Sequence, residues 1–154
     1  MWVQRGGRPE TSEPHQSAEK PLRVMVIDDD ETERILLQEL TLDLAVEWVL
    51  CRGSADAWTY LQTHPRQLPH VILVDWHLAG EQGLDWVRRV RTTPEFTTLV
   101  VLMRSGALSD EQVRDAYLAG ASAVLIKPMT LPDLDAQLTA LVAFYHHTAS
   151  RLTA

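Results

Sequence analysis

Residues 71–77 read Val71-Ile72-Leu73-Val74-Asp75-Trp76-His77. Four apolar, mostly β-branched residues run straight into a carboxylate. A short unbroken apolar run of this kind suits a strand covered on both faces, as in a parallel sheet. Asp75 then stands at the carboxyl end of that strand, the edge where open α/β sheets bind ligands. Residues 22–30 repeat the plan, with Leu22-Arg23-Val24-Met25-Val26-Ile27 followed by Asp28-Asp29-Asp30. If the two strands are neighbours, up to four carboxylates converge at one edge. Like charges that close repel strongly unless a cation or a proton neutralises them. The pattern points to a divalent metal at this edge and chemistry on one aspartate.

Working outward, the rest of the chain alternates between the two periods. A first helix is expected over Glu31 to Leu42, with Ile35, Leu36, Leu40 and Leu44 inward and Asp30 with Glu33 as a capping pair. A second strand runs from Val46 to Cys51. Ser54 caps the next helix, which carries Trp58 and Leu61 and stops near Pro65. After the 71–75 strand, a loop with Gly80 and Gly83 leads into a helix from Leu84 to Arg91. A fourth strand covers Leu99 to Met103. Ser109 and Gln112 form a capping box, and Gly120 ends the helix that follows. A fifth strand covers Ala123 to Ile126. Thr130 caps the last helix, whose stripe is Leu134, Leu138, Leu141, Val142 and Tyr145. This alternation predicts a doubly wound, five-stranded parallel sheet with right-handed crossovers. Strand order 2-1-3-4-5 puts the first and third strands side by side at the switch point. Asp28, Asp29 and Asp75 meet there, and Ser105 and Lys127 reach the same crevice from later strands.

The length of 154 residues fits one domain with a tail. Residues 1–20, rich in Gly, Pro and scattered charge and without an apolar core segment, are expected to form a disordered arm ahead of a domain over 21–154. The single cysteine, Cys51, fits a reducing compartment and is expected to be a small buried thiol. A net charge of −7 argues against a nucleic-acid binder, and no apolar run reaches the roughly 20 residues of a membrane span. The histidines at 64, 70, 146 and 147 read as surface residues.

In this order and at these spacings, the motifs resemble the receiver domain of two-component response regulators, over about Leu22 to Arg151. Asp28-Asp29 is similar to that family's acidic pair, and Asp75 to its phosphoacceptor. Gly83, eight residues on, matches a loop glycine, and Ser105, thirty residues on, the Ser/Thr position. Lys127-Pro128 matches a Lys-Pro pair whose peptide bond is expected to be cis. The sequence departs from the family pattern at Leu78-Ala79, where Met-Pro is usual. It departs again at Val124, where many receivers carry a ring that swings inward on activation, and at Arg104, where an apolar residue is commoner. Arg104 either snorkels to the surface or occupies space near Val124.

The resemblance implies a flavodoxin-like fold and a cytoplasmic signalling module that is not an enzyme in the usual sense. Asp75 would accept a phosphoryl group from a sensor histidine kinase or a histidine phosphotransfer protein. Mg²⁺ or Mn²⁺ would be held by Asp29, Asp75 and the backbone carbonyl of His77, with Asp28 acting through a bound water. Lys127 and Ser105 would bind phosphoryl oxygens. With one helix after the last strand, the chain is expected to act alone, through contact with a downstream protein target. An exposed Phe144 would favour such a contact on the face made by the fourth helix, fifth strand and fifth helix. Two other functions compete. One is a receiver-like docking module that is never phosphorylated. The other is a haloacid-dehalogenase-type phosphatase using Asp28, since Asp28-Asp29-Asp30-Glu31-Thr32 fits D-x-D-x-T. That reading leaves Asp75 without a role and needs a further acidic motif at a strand end, whereas Asp133 and Asp135 fall in a helix.

Overall fold

A computed structural model describes residues 2–6 and 20–149. Its strands are β1 (Val3–Arg5), β2 (Leu22–Ile27), β3 (Val46–Cys51), β4 (Val71–Asp75), β5 (Val100–Ser105) and β6 (Ala123–Ile126). Its helices are α1 (Glu31–Glu39), α2 (Ser54–Thr63), α3 (Gly83–Arg91), α4 (Asp110–Ala119) and α5 (Leu131–Ala143), the last running on into a π-helical turn, Phe144–Thr148. The sheet order is β1-β3-β2-β4-β5-β6. All neighbours from β3 to β6 are parallel, so five of the strands follow the expected 2-1-3-4-5 order.

The strands read as continuous apolar runs because each face has its own core. Met25, Ile27, Val49, Ile72, Val74, Val101 and Met103 pack with Tyr60, Trp86, Val87 and Val90 from α2 and α3. The alternate residues Val24, Val26, Trp48, Leu50, Leu73 and Leu102 pack with Leu37 of α1 and Leu134, Leu138 and Val142 of α5. Burying each such side chain contributes about 1.5–3 kcal/mol. Cys51 lies in the first core and is free, and burial holds its thiol protonated. No helix among the described residues is long and apolar enough to cross a membrane.

Several local expectations need correction. The arm over residues 1–20 is not unstructured at its start, because Val3–Arg5 pairs antiparallel with β3. Trp2 anchors it, lying edge-on to Tyr60 with ring centroids 5.0 Å apart, and the Gln4 side chain donates to Glu47. Residues 7–19 lie outside the described residues. Helix α1 ends at Glu39 rather than Leu42; Leu36, Leu40 and Leu44 pack against the core as expected, joined by the fully buried Leu37, while Ile35 is half exposed. Gly53, not Ser54, occupies the N-cap of α2, with no side-chain cap bond. The expected caps at Asp30, Ser109 and Thr130 are made, and Ser109 with Gln112 forms the full box. Gly120 takes φ 109°, the left-handed value that ends α4. Three of the histidines read as surface residues are engaged. His70 Nδ1 accepts from the Arg23 N–H at 2.8 Å, His64 stacks on Tyr60, and His146 bonds the Ala45 carbonyl. The Lys127–Pro128 bond is trans rather than cis, the isomer that X–Pro bonds favour by about 0.5–1 kcal/mol.

Candidate functional site

The carboxyl ends of β2 and β4 lie side by side, with Ile27 in register with Val74. One carboxylate oxygen from each of Asp28, Asp29 and Asp75 lies within 4.8 Å of the others. Asp28 is 1% exposed, and Asp29 is open to solvent. The backbone N–H of Asp30 donates to Asp28 Oδ1 at 2.9 Å, and the Arg34 side chain donates to the Asp28 carbonyl. These bonds fix the turn that follows β2. Burial raises the Asp28 pKa, with the N–H of Asp30 and the charge of Lys127 acting against it and Asp75 with it.

Lys127, just past β6, reaches the buried Asp28 and the half-buried Asp75. Its Nζ donates to Asp75 Oδ2 at 3.0 Å and to Asp28 Oδ2 at 3.2 Å. Burial alone would lower the Lys127 pKa, but the two carboxylates outweigh it and the net shift is upward. The backbone N–H of His77 donates to Asp75 Oδ1 at 3.2 Å. Ser105, 6% exposed at the end of β5, donates through its hydroxyl to the Ala107 carbonyl at 3.3 Å. Asp29, Asp75, His77, Ser105 and Lys127 line one open cavity of about 380 Å³. The structure therefore gathers Asp28, Asp29, Asp75, His77, Ser105 and Lys127 at this edge. An all-oxygen set of carboxylates in an open, polar cavity fits a hard divalent cation such as Mg²⁺ or Mn²⁺ better than zinc.

Gly83 earns its place here through a close approach. Its N–H donates to the Trp76 carbonyl at 3.0 Å, and a Cβ at this position would stand 2.2 Å from the Asp75 carbonyl oxygen. Only glycine lets α3 begin so close to the end of β4. Leu78 turns into the core, while Ala79 stays exposed.

Two contributors were missed from the sequence. Glu33, read only as a capping residue, lines the cavity. Arg104 neither snorkels outward nor fills space near Val124. It is 2% exposed and lies on the face of the sheet opposite Val124, whose register partner is Met103. Its Nη1 is 3.9 Å from Glu33 Oε2, and its Nε and Nη2 have no hydrogen-bond partner among the described residues. Burial lowers its pKa, against the pull of Glu33, Asp28 and Asp75, but an arginine stays charged.

Comparison with known proteins agrees with this geometry. The chain is 28% identical over 119 residues to the chemotaxis protein CheY-3 of Vibrio cholerae, covering 77% of this chain and 90% of that one. It is 32% identical over 124 residues to the sensory/regulatory protein RpfC of Xanthomonas campestris, covering 78% of this chain but 16% of RpfC. In fold, it is similar to the Mn²⁺-bound form of the response regulator Rcp1, with a TM-score of 0.76 at 20% identity, covering 86% of this chain and all of that one. The family model of the response regulator receiver domain matches residues 24–139. Three-quarters of the chain, including every strand from β4 to β6 and the edge where the acids meet, falls inside that match, and the chain belongs to the response regulator receiver domain family.

Proposed function

We propose that this receiver accepts a phosphoryl group on Asp75 from a phosphohistidine on a partner protein, with divalent-metal support, and signals by protein contact. The observation that carries the proposal is the position of Lys127, whose ammonium bridges Asp75 and Asp28 beside Asp29. An aspartate is a poor nucleophile toward an anionic phosphoryl group unless fixed positive charge offsets the repulsion.

In the transfer, an Asp75 carboxylate oxygen attacks phosphorus. The P–N bond to the donor imidazole breaks, the imidazole leaves with the electron pair, and an acyl phosphate forms. Lys127 is placed to exchange a carboxylate for a phosphoryl oxygen as a point charge. Ser105 is placed to release Ala107 and donate to another. Asp29, Asp75 and the His77 carbonyl would hold Mg²⁺ or Mn²⁺ directly, and Asp28 through water. The bound ion would supply charge neutralisation and a template for the phosphoryl oxygens. Water hydrolysing the acyl phosphate would reset the site.

The contact surface proposed for the downstream target is the α4–β6–α5 face. Leu118, Ile126, Met129, Leu131 and Phe144 are exposed there. Replacing Phe144 with Ala should weaken target binding, and unchanged binding would remove Phe144 from that role. The phosphatase alternative has no support from the site, since Asp133 and Asp135 lie on α5.

Intact mass after incubation with Mg²⁺ and acetyl phosphate tests the proposal. A single acid-labile phosphoryl adduct is expected, absent from Asp75→Asn and from a chelated sample. An adduct that persists in Asp75→Asn would place the chemistry on another residue. No adduct from either acetyl phosphate or a phosphorylated histidine donor would leave a docking module.

A further inference from the structure

Arg104 is a costly residue in a place where an apolar one would pack without penalty. A buried guanidinium is tolerated when its donors are matched by good acceptors, yet here Nε and Nη2 have none and the nearest carboxylate is 3.9 Å away. Its surroundings point to electrostatics rather than packing. Arg104 is the register partner of Asp75, and parallel neighbours stand about 4.8 Å apart. The residues two before them, Leu73 and Leu102, share the α1/α5 core, so Asp75 and Arg104 project on that same face. Asp28 follows the same alternation from Val24 and Val26. Against burial, the pKa of Arg104 is held up most strongly by Glu33 and then by Asp28 and Asp75. Its ion-pair partner among the described residues, Glu33, lines the cavity that Asp29 and Asp75 also line.

We propose that Arg104 is a positioning residue, a fixed counter-charge built beneath the acidic site that opposes divalent-cation binding and holds the Glu33 carboxylate away from the cation. The inference rests on the reading of Asp28, Asp29 and Asp75 as a divalent-metal site. In the resting protein, Lys127 neutralises the acids from the open side and Arg104 from beneath, so an entering cation meets a partly satisfied cluster. A unit charge several ångströms from a divalent ion, in a partly wet site, changes affinity by about fivefold or more.

The test is calorimetric titration of metal-free protein with MgCl₂. Arg104→Met should bind Mg²⁺ about fivefold or more tightly than wild type, because it removes the cation and frees Glu33. Arg104→Lys, which keeps the charge, should stay near wild type. Glu33→Gln, on a partly exposed side chain that leaves the core untouched, should bind more weakly, because Arg104 then faces the acids unpaired. It also serves if Arg104→Met does not fold. A packing role alone would give unchanged or weaker binding in Arg104→Met. Either result, or an unchanged affinity in Glu33→Gln, overturns the inference while leaving the metal site standing. Binding by Arg104→Met but not by wild type would support the inference and remove metal support from the proposed function. Binding by neither would overturn both.

Discussion

Lys127 Nζ stands 3.0 Å from Asp75 Oδ2, joining the end of β6 to the end of β4 across the intervening β5. The ammonium bonds both the half-buried Asp75 and the buried Asp28. Replacing it with a neutral chain of similar length, Lys127→Met, should slow adduct formation from acetyl phosphate by about a hundredfold, the usual scale for losing one fixed electrostatic contact to the transferred group. The time course of intact mass measures this. A rate within twofold of wild type would show that Lys127 is only a resting counter-ion.

Gly83 sets how closely α3 can approach the end of β4. Because the atom a Cβ would strike is the Asp75 backbone carbonyl, relief requires moving β4 or the helix start. Gly83→Ala should therefore cost about 1–3 kcal/mol, as overpacking does elsewhere. The denaturant midpoint should fall with an unchanged slope. Phosphoryl acceptance should slow as well, since the displaced atom belongs to Asp75, the proposed acceptor.

Tyr60 is fully buried and donates its hydroxyl to the Gln67 carbonyl at 2.9 Å. Burial pushes its pKa up from 10.0 to about 12. The unfolded chain therefore gives up this proton first. The contribution is whole below pH 10.0 and is lost as pH rises toward about 12. Lys127 and Tyr145, also shifted upward, act in the same direction. Melting temperature should fall across this window in wild type and fall less steeply in Tyr60→Phe. Parallel profiles would assign the alkaline loss to the other groups.

The N-terminal strand closes an edge of the sheet. Its pairing with β3 and the Trp2 contact with Tyr60 should protect β3 amides. A variant beginning at Lys20 should exchange the amides of Trp48 and Leu50 faster while keeping the adduct chemistry. Trp2→Ala should lose about 1 kcal/mol, the scale of an aromatic pair. Unchanged exchange would mean that β1 is not paired in solution.

The alternating strands and the strand-end acids were legible because their signals are local: a short apolar run, a carboxylate at its end, a cap at a fixed offset. What was not legible depends on distant partners. Ile35, Leu36 and Leu37 are all apolar, so periodicity alone could not say that Leu37 faces β2 and β3 while Ile35 faces outward. Val3–Arg5 is too short to show a period, and its partner lies more than forty residues away. Glu33 read as a capping residue because its role depends on Arg104, far along the chain. Arg104 itself stood out as the wrong residue type, but only the sheet register places it beside Asp75.

The hydroxyl of Ser105 is not idle in the resting protein, since it already donates to the Ala107 carbonyl two residues ahead. Recruiting it to a modified Asp75 would trade one hydrogen bond for another rather than create a new one. Until that group arrives the Ala107 bond has no replacement, so it favours the loop arrangement seen after β5 and would keep the basal signal of the unmodified protein low.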